Sequence, residues 1–388
     1  MNTPSLSQGA TARMRILLLS TGLQLGGAEQ QVAALARQFV ALGHVVAVVS
    51  LTPGCGVDLP ATVRLLALDM RKTPLSMARA FWHLRSFVRE WRPEIIHAHM
   101  VHANLIARVL AAVSPCPPVI CTAHSAREGG RMRMLAYRLT DRWASLTTHV
   151  SPEGRLAMVK SGAVPAARIT VVPNGIDTTQ FRPDPAARNI ARTELGLDDD
   201  TRLLINVGRL VPEKAQDVLI DAFALFRAGT DEVKARLLIA GEGPERAALE
   251  QRIRQQALSG SVMLAGTRRD VPALLNAADL FVLSSEIEGM PLAVGEALAC
   301  GCPVVATDAA GVAALLGDCG TIVSRGDAQV LATAIGEVLG AGRGAAAEQA
   351  ARRERIVSRF SLEAVARQWL ARYASLARMA PAACAEPV

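Results

Sequence analysis

The sequence predicts an α/β fold built on two parallel sheets, and three observations predict it. Short runs that are apolar on both faces alternate with segments of helical period almost throughout the chain, the pattern of strands covered on both sides by right-handed crossovers. Pro173, Gly175, Pro183 and Pro185 interrupt any regular element between two such series. The chain has 388 residues, two to three times a typical domain of about 150. Together these predict two Rossmann-like domains, an N-terminal one over residues 14–182 and a C-terminal one over 183–360, with a last helix over 361–378 crossing back to the first.

In the first series Arg15–Ser20 is a buried strand, and Val32, Leu35, Ala36, Phe39 and Leu42 then recur at helical spacing until Gly43 supplies a C-cap. Further strands are expected at Val45–Leu51, Val63–Leu68, Glu94–Ala98, Val119–Thr122, Thr147–Val150 and Ile169–Val172. The second series places them at Leu203–Val207, Arg236–Ala240, Val262–Ala265, Leu280–Leu283, Val304–Ala306 and Thr321–Val323, with a helix after nearly every one. In the closing helix Ala364, Val365, Trp369 and Tyr373 fall on one face.

Composition narrows the function. At 51% hydrophobic and 20% charged the chain can offset its folding entropy, so it is globular. Aromatics at 4% are too few for a single-strand nucleic-acid platform, and no nucleic-acid partner is expected. The net charge of +7 belongs to residues 71–142, where twelve basic residues face four acidic ones, which points to an anionic partner. There Arg79, Phe81, Trp82, Arg85, Arg89 and Trp91, and again Arg131, Met132, Arg133 and Met134, mix cations with large apolar groups as interfacial helices do. An anionic membrane surface is the expected partner, with a solvated arginine-rich face as the alternative.

Seven scattered cysteines (55, 116, 121, 300, 302, 319, 384) fit a reduced compartment. Cys300 and Cys302 lack a zinc-ligand spacing, and no histidine follows His149, so no metal is expected. Met1–Ala12 is polar, Ile16–Leu19 is too short for a signal-peptide core, and no apolar run reaches about 18 residues. The expected location is cytoplasmic, or peripheral on the inner face of the cytoplasmic membrane.

Ligands of open parallel sheets sit beyond the carboxyl ends of strands. After the first strand, Gly26-Gly27-Ala28-Glu29 enters a helix whose free N–H groups favour an anion, although a plain strand-to-helix turn fits as well. After Val207, Gly208-Arg209-Leu210-Val211-Pro212-Glu213-Lys214 sets two cations five residues apart, which suits two phosphates better than one carboxylate. The strongest constellation is Ser285 to Gly301. Pro291 is expected as the first helical residue and Gly301 as the stop, so Glu288 precedes the helix and Glu296 lies about 7.5 Å along it. One acid could hold a sugar's hydroxyls, the other a ribose, and the N–H groups between them a diphosphate. The plain alternative is one exposed and one capping glutamate. His97, His99 and His102 could suggest a metal cluster, but strand alternation puts His97 and His99 on one face with His102 on the next helix, which favours packing and hydrogen bonding.

Glu288 and Glu296, Gly26-Gly27-Ala28-Glu29, Gly208 to Lys214, Gly241-Glu242-Gly243-Pro244 and Pro173-Asn174-Gly175-Ile176-Asp177 together resemble the retaining glycosyltransferases of family 4. The likeness runs from about Arg15 to Tyr373. It implies the GT-B fold, two Rossmann-like domains facing across a cleft, and a nucleotide-sugar donor. By the same likeness Arg209 and Lys214 would bind the donor diphosphate, Glu288 with Gly289 and Met290 the donor sugar, and Glu296 the ribose. Glu242, Pro291 and Leu292 would complete the donor site, Gly26 and Gly27 would close on the phosphates, and His124 would stand beside the reacting carbon.

The sequence departs from the family pattern at Ala215-Gln216, where Gly-His is common, at Met290 for a frequent Phe, and at Ala313-Ala314 for a glutamate. Gly26 to Glu29, His97-Ala98-His99, His102-Ala103-Asn104 and Glu128-Gly129-Gly130 look most like transferases of exopolysaccharide or lipopolysaccharide assembly. The expected reaction is retaining transfer of a hexosyl or N-acetylhexosaminyl group, from a UDP- rather than GDP-linked donor, to a growing lipid-linked cell-surface glycan. No cofactor is expected. The rival readings are a nucleotide-sugar epimerase of the same architecture, which would need no acceptor, and a non-catalytic sugar-nucleotide-binding partner, which would show no turnover.

Overall fold

The computed structural model describes residues 13–24, 26–71, 73–126, 128–229 and 233–379; Met1–Ala12 and Cys384, which enter the sequence reading, lie outside them. Each of the thirteen apolar runs forms a strand, with ends moved by no more than one residue.

The order begins β1 (Arg15–Ser20), α1 (Gly27–Ala41), β2 (Val45–Ser50), β3 (Arg64–Ala67), α2 (Pro74–Trp91), β4 (Ile95–His99), α3 (Val101–Val113), β5 (Val119–Ala123), α4 (Arg131–Thr140), β6 (Leu146–His149), α5 (Pro152–Lys160) and β7 (Ile169–Val171). It continues α6 (Pro185–Glu194), β8 (Arg202–Val207), α7 (Gln216–Ala228), β9 (Ala235–Ala240), α8 (Arg246–Gln255), β10 (Val262–Gly266), α9 (Val271–Ala277), β11 (Leu280–Leu283), α10 (Leu292–Ala299), β12 (Val304–Thr307), α11 (Val312–Leu316) and β13 (Thr321–Val323). Three helices close it: α12 (Ala328–Ala341), α13 (Ala346–Phe360) and α14 (Leu362–Met379). The strands make a seven-stranded sheet in the order β3-β2-β1-β4-β5-β6-β7 and a six-stranded sheet in the order β10-β9-β8-β11-β12-β13. Contacts divide the described residues into two compact units, one within Met1–Ala123, Ala136–Thr147 and Ala366–Val388, the other within His124–Leu135 and Thr148–Val365.

In the first unit Leu17, Leu19, Ala47, Val49, Ile96 and Ala98 pack against Leu84, Phe87 and Val88 of α2 and Ala103, Ala107 and Leu110 of α3. The buried Arg108 guanidinium is matched by Asp141 at 3.3 Å and Thr147 at 2.7 Å, so no isolated charge is left in the core. His97 and His99 share one face of β4, with ring centroids 4.0 Å apart. Both His97 nitrogens meet side-chain oxygens, Tyr373 Oη at 2.6 Å and Thr122 Oγ1 at 2.7 Å, and Trp369 packs over the ring at 4.4 Å.

Thr73 caps α2 ahead of Pro74, and Arg92 ends it in the left-handed region. The α2 stripe differs from the sequence expectation at two positions. Trp91 is buried and stacks on Phe87, and Phe81 is half-buried, because both lie on the face that meets the core. Leu75, Met77 and Trp82 are the large apolar groups left exposed on that helix, beside exposed Arg79 and Arg89. On α4 the exposed ones are Met132, Leu135 and Leu139, while Met134 is half-buried. Among the described residues no helix is long and apolar enough to cross a membrane.

In the second unit strand alternation is literal. Leu203, Ile205, Leu238, Ala240, Phe281 and Leu283 enter one core, and Leu204, Leu237, Ile239, Leu280 and Val282 the other. All its strand pairs are parallel. The segments following β8, β9, β11 and β12 therefore emerge at the same end of the sheet, where the candidate site lies.

Candidate functional site

The loop after β8 is fixed through its backbone. Leu210 N donates to Glu242 O at 2.9 Å, Gln216 Nε2 to Arg209 O at 2.9 Å, Ser284 Oγ to Lys214 O at 2.9 Å, and Glu286 N to Glu213 O at 2.9 Å. Pro212–Lys214 is a 3₁₀ turn, and Ala215 follows it in the left-handed region at φ 46°. That conformation costs an alanine what a glycine would not lose, the physical content of the departure at this position. Arg209 is exposed. Lys214 Nζ reaches Glu288 Oε1 at 2.5 Å, pairing the expected phosphate cation with the expected sugar acid.

The Glu288 loop is pressed onto the His124 segment. Ala126 N donates to Glu288 O at 3.1 Å, and a Cβ on Gly289 would stand 1.8 Å from the His124 carbonyl oxygen, so only glycine permits this approach. Behind the loop, Gly311 turns at φ +80°, where a Cβ would come within 2.5 Å of Gly289 O. Its N–H donates to Glu153 Oε2 at 3.1 Å. Asn174 N donates to Met290 Sδ at 3.0 Å.

Pro291 is the N-cap of α10 and not its first helical residue, a correction of one position. Its carbonyl accepts from Val294 N, and the helix begins at Leu292. Gly301, at φ +72°, lies just past the C-cap Cys300 and ends the helix as expected.

Glu296 sits on the second turn of α10. Burial pushes its carboxyl up to about 7, and the Asp177 carboxylate adds to the rise. The ordinary value is 4.5, so the folded chain holds a proton that the unfolded chain releases, and stability falls as pH rises from about 4.5 through about 7. We expect melting curves to show this loss, on the order of 3 kcal/mol, and the Glu296→Gln variant to lack it. Burial, with His149 adding, brings His124 down to about 3, so its imidazole is neutral at physiological pH.

Lys214, Glu288, Gly289, Met290 and His124 are thus brought together, with Arg209, Pro291, Leu292 and Glu296 on the same loop and helix. Glu242 joins through its carbonyl, while its carboxylate pairs with Arg246 at 2.7 Å. Gly26 and Gly27 open α1 in the first unit, with Gln30 N donating to Gly26 O at 2.9 Å. Sequence reasoning assigned no role to Glu128, His149, Glu153, Asn174 or Gly311. For Gly311 the signal was its place after β12; for Glu128 it was a carboxylate four residues past His124.

Comparison with known proteins finds two glycosyltransferase family models and several glycosyltransferases similar to this chain. Residues 25–180 match the model described as Glycosyltransferase Family 4, and residues 201–341 match Glycosyl transferases group 1. The chain is 28% identical over 235 residues to an Escherichia coli UDP-Gal:alpha-D-GlcNAc-diphosphoundecaprenol alpha-1,3-galactosyltransferase, covering 58% of this chain and 60% of that protein. It is 28% identical over 345 residues to the Rhizobium meliloti lipopolysaccharide core biosynthesis mannosyltransferase LpsB, covering 87% and 91%. The match with the galactosyltransferase and with two further curated relatives spans 60%, 62% and 57% of their lengths, about three fifths in each case. The fold is that of Anabaena Alr3699/HepE, solved in complex with UDP and glucose, at a TM-score of 0.80, 23% identity, and coverage of 94% of this chain and 100% of that one. It is also that of WaaG, a glycosyltransferase involved in lipopolysaccharide biosynthesis, at a TM-score of 0.70, 19% identity, and coverage of 92% and 98%. In sequence order, then, the chain is similar first to the Glycosyltransferase Family 4 model and then to the Glycosyl transferases group 1 model, each over less than half of its length.

Proposed function

We propose that this protein is a retaining glycosyltransferase that moves a sugar from a nucleotide diphosphate donor, UDP-linked by preference, to a growing lipid-linked cell-surface glycan. The observation that carries the reading is the Lys214–Glu288 pair at the mouth of α10, beside the His124 segment. Arg209 and Lys214 would hold the diphosphate, Glu288 and the Gly289–Leu292 backbone the sugar, and Glu296 the ribose. The bond between the anomeric carbon and the phosphate oxygen breaks as the acceptor oxygen attacks from the same side. The acceptor's proton passes to the departing phosphate, whose charge is received by groups already in place. His124 is neutral, so it serves as a hydrogen-bonding partner and not as a second cation. A relative named as an α-1,3-galactosyltransferase acting with UDP-Gal supports the donor class, and the lipopolysaccharide and diphosphoundecaprenol names support the acceptor class. Proton NMR of product freshly formed from an α-linked UDP-sugar and a lipid-linked glycan should show an α-glycoside. A β-glycoside overturns retention, and turnover of donor without acceptor would favour the epimerase.

We propose further that the enzyme works at an anionic membrane surface. Exposed Leu75, Met77 and Trp82 beside Arg79 and Arg89 on α2, and exposed Met132, Leu135 and Leu139 beside Arg131, Arg133 and Arg138 on α4, support this. Vesicles containing phosphatidylglycerol should co-sediment the protein and neutral vesicles should not, with salt reversing the binding. Equal recovery in the supernatant for both vesicle types retires the idea.

A further inference from the structure

The His124–Ser125 segment is fastened from two sides. Glu128, 8% exposed, accepts on one oxygen, Oε1, from the N–H groups of both His124 and Ser125, each at 2.9 Å. A carboxylate makes such bonds about twice as strong as a neutral acceptor would. On the other side His149 Nε2 lies 3.0 Å from Ser125 O. A carbonyl can only accept, so Nε2 carries the proton there, and Nδ1 accepts from Ser151 N at 3.1 Å. Gly154 leaves room for that ring, since a Cβ there would stand 1.7 Å from His149 Cε1. The His124 carbonyl meanwhile abuts Gly289. The peptide that carries His124 therefore has its N–H groups, its neighbouring carbonyl and its own carbonyl all set by separate elements.

We propose that Glu128 is a positioning residue for His124: its carboxylate holds the two peptide N–H groups so that the imidazole meets the donor sugar in one orientation. The proposal rests on the transferase reading for the role of His124. Without the carboxylate two amides lose their acceptor and the segment relaxes, while the diphosphate contacts of Arg209 and Lys214 stay as they are. Misplacement by an ångström near the reacting carbon costs up to about 100-fold.

The full-length protein should be assayed with UDP-sugar donor and lipid-linked glycan, alongside hydrogen exchange at the amides of residues 124 and 125. Glu128→Ala should lower kcat roughly 10- to 100-fold, leave KM for the donor within about twofold, and speed exchange at both amides. Glu128→Gln keeps an oxygen that can accept both N–H groups and should recover most of the rate. In combination with His124→Ala, Glu128→Ala should add little further loss. Full kcat in Glu128→Ala, or equal losses of kcat and donor affinity in both Glu128 variants, overturns the proposal. The exchange arm needs no turnover. A wild type that transfers no sugar counts against the transferase reading, whereas unchanged exchange at residues 124 and 125 in Glu128→Ala counts against the anchoring itself.

Discussion

Gly289→Ala should cut turnover by more than about 100-fold while the protein still folds. The added Cβ would stand 1.8 Å from the His124 carbonyl oxygen, 2.6 Å from its carbon and 3.2 Å from Ser125 Cα. These are backbone atoms, and no rotamer change relieves the overlap. The two segments must part by more than an ångström, which breaks the bond from Ala126 N to Glu288 O and moves Glu288 and His124 away from each other. Overpacking of this kind costs about 1–3 kcal/mol in stability, too little to unfold most domains. Measuring kcat well below the variant's melting temperature separates the two effects. A variant that keeps more than about a third of the wild-type rate would show that transfer does not need this contact.

Arg209→Ala and Lys214→Ala should each lower kcat by about 100-fold or more at saturating donor, since removing a preformed charge from a developing anion costs on the order of 3 kcal/mol. The two variants should differ in stability. Arg209 is exposed, and its removal should leave the melting temperature unchanged. Lys214→Ala strips a buried Glu288 carboxylate of its cation and should lower the melting temperature as well. Adding Glu288→Gln to Lys214→Ala should restore the stability without the rate. Either single variant retaining more than half of wild-type kcat would place the diphosphate elsewhere.

Strands were legible because the two-sided apolar run is a short-range signal: Leu280–Leu283 reads the same in sequence and structure. The layout around α10 was legible for a similar reason, since Glu288, Pro291, Glu296 and Gly301 all lie within one loop and helix. What could not be read was anything set by close approach of distant backbones. That Gly289 faces His124 depends on 164 intervening residues, and no local pattern distinguishes such a glycine from one in an ordinary turn. Trp91 was misjudged because helical spacing gives a stripe without saying which edge of it meets the core. Pro291 was misplaced by one residue because a proline satisfies both the N-cap and the first helical position.

The partnership between His97 and Tyr373 spans 276 residues of sequence. Synthesis at roughly 5–20 residues per second makes the histidine roughly 15 to 55 seconds before the tyrosine that completes its surroundings. Throughout that interval the nascent sheet carries β4 with His97 lacking both the Tyr373 hydroxyl and the Trp369 ring that later cover it. The first unit therefore finishes folding after the second has been synthesised, and a chain released before Trp369 would present an open face around Phe39 and His97 to chaperones and proteases.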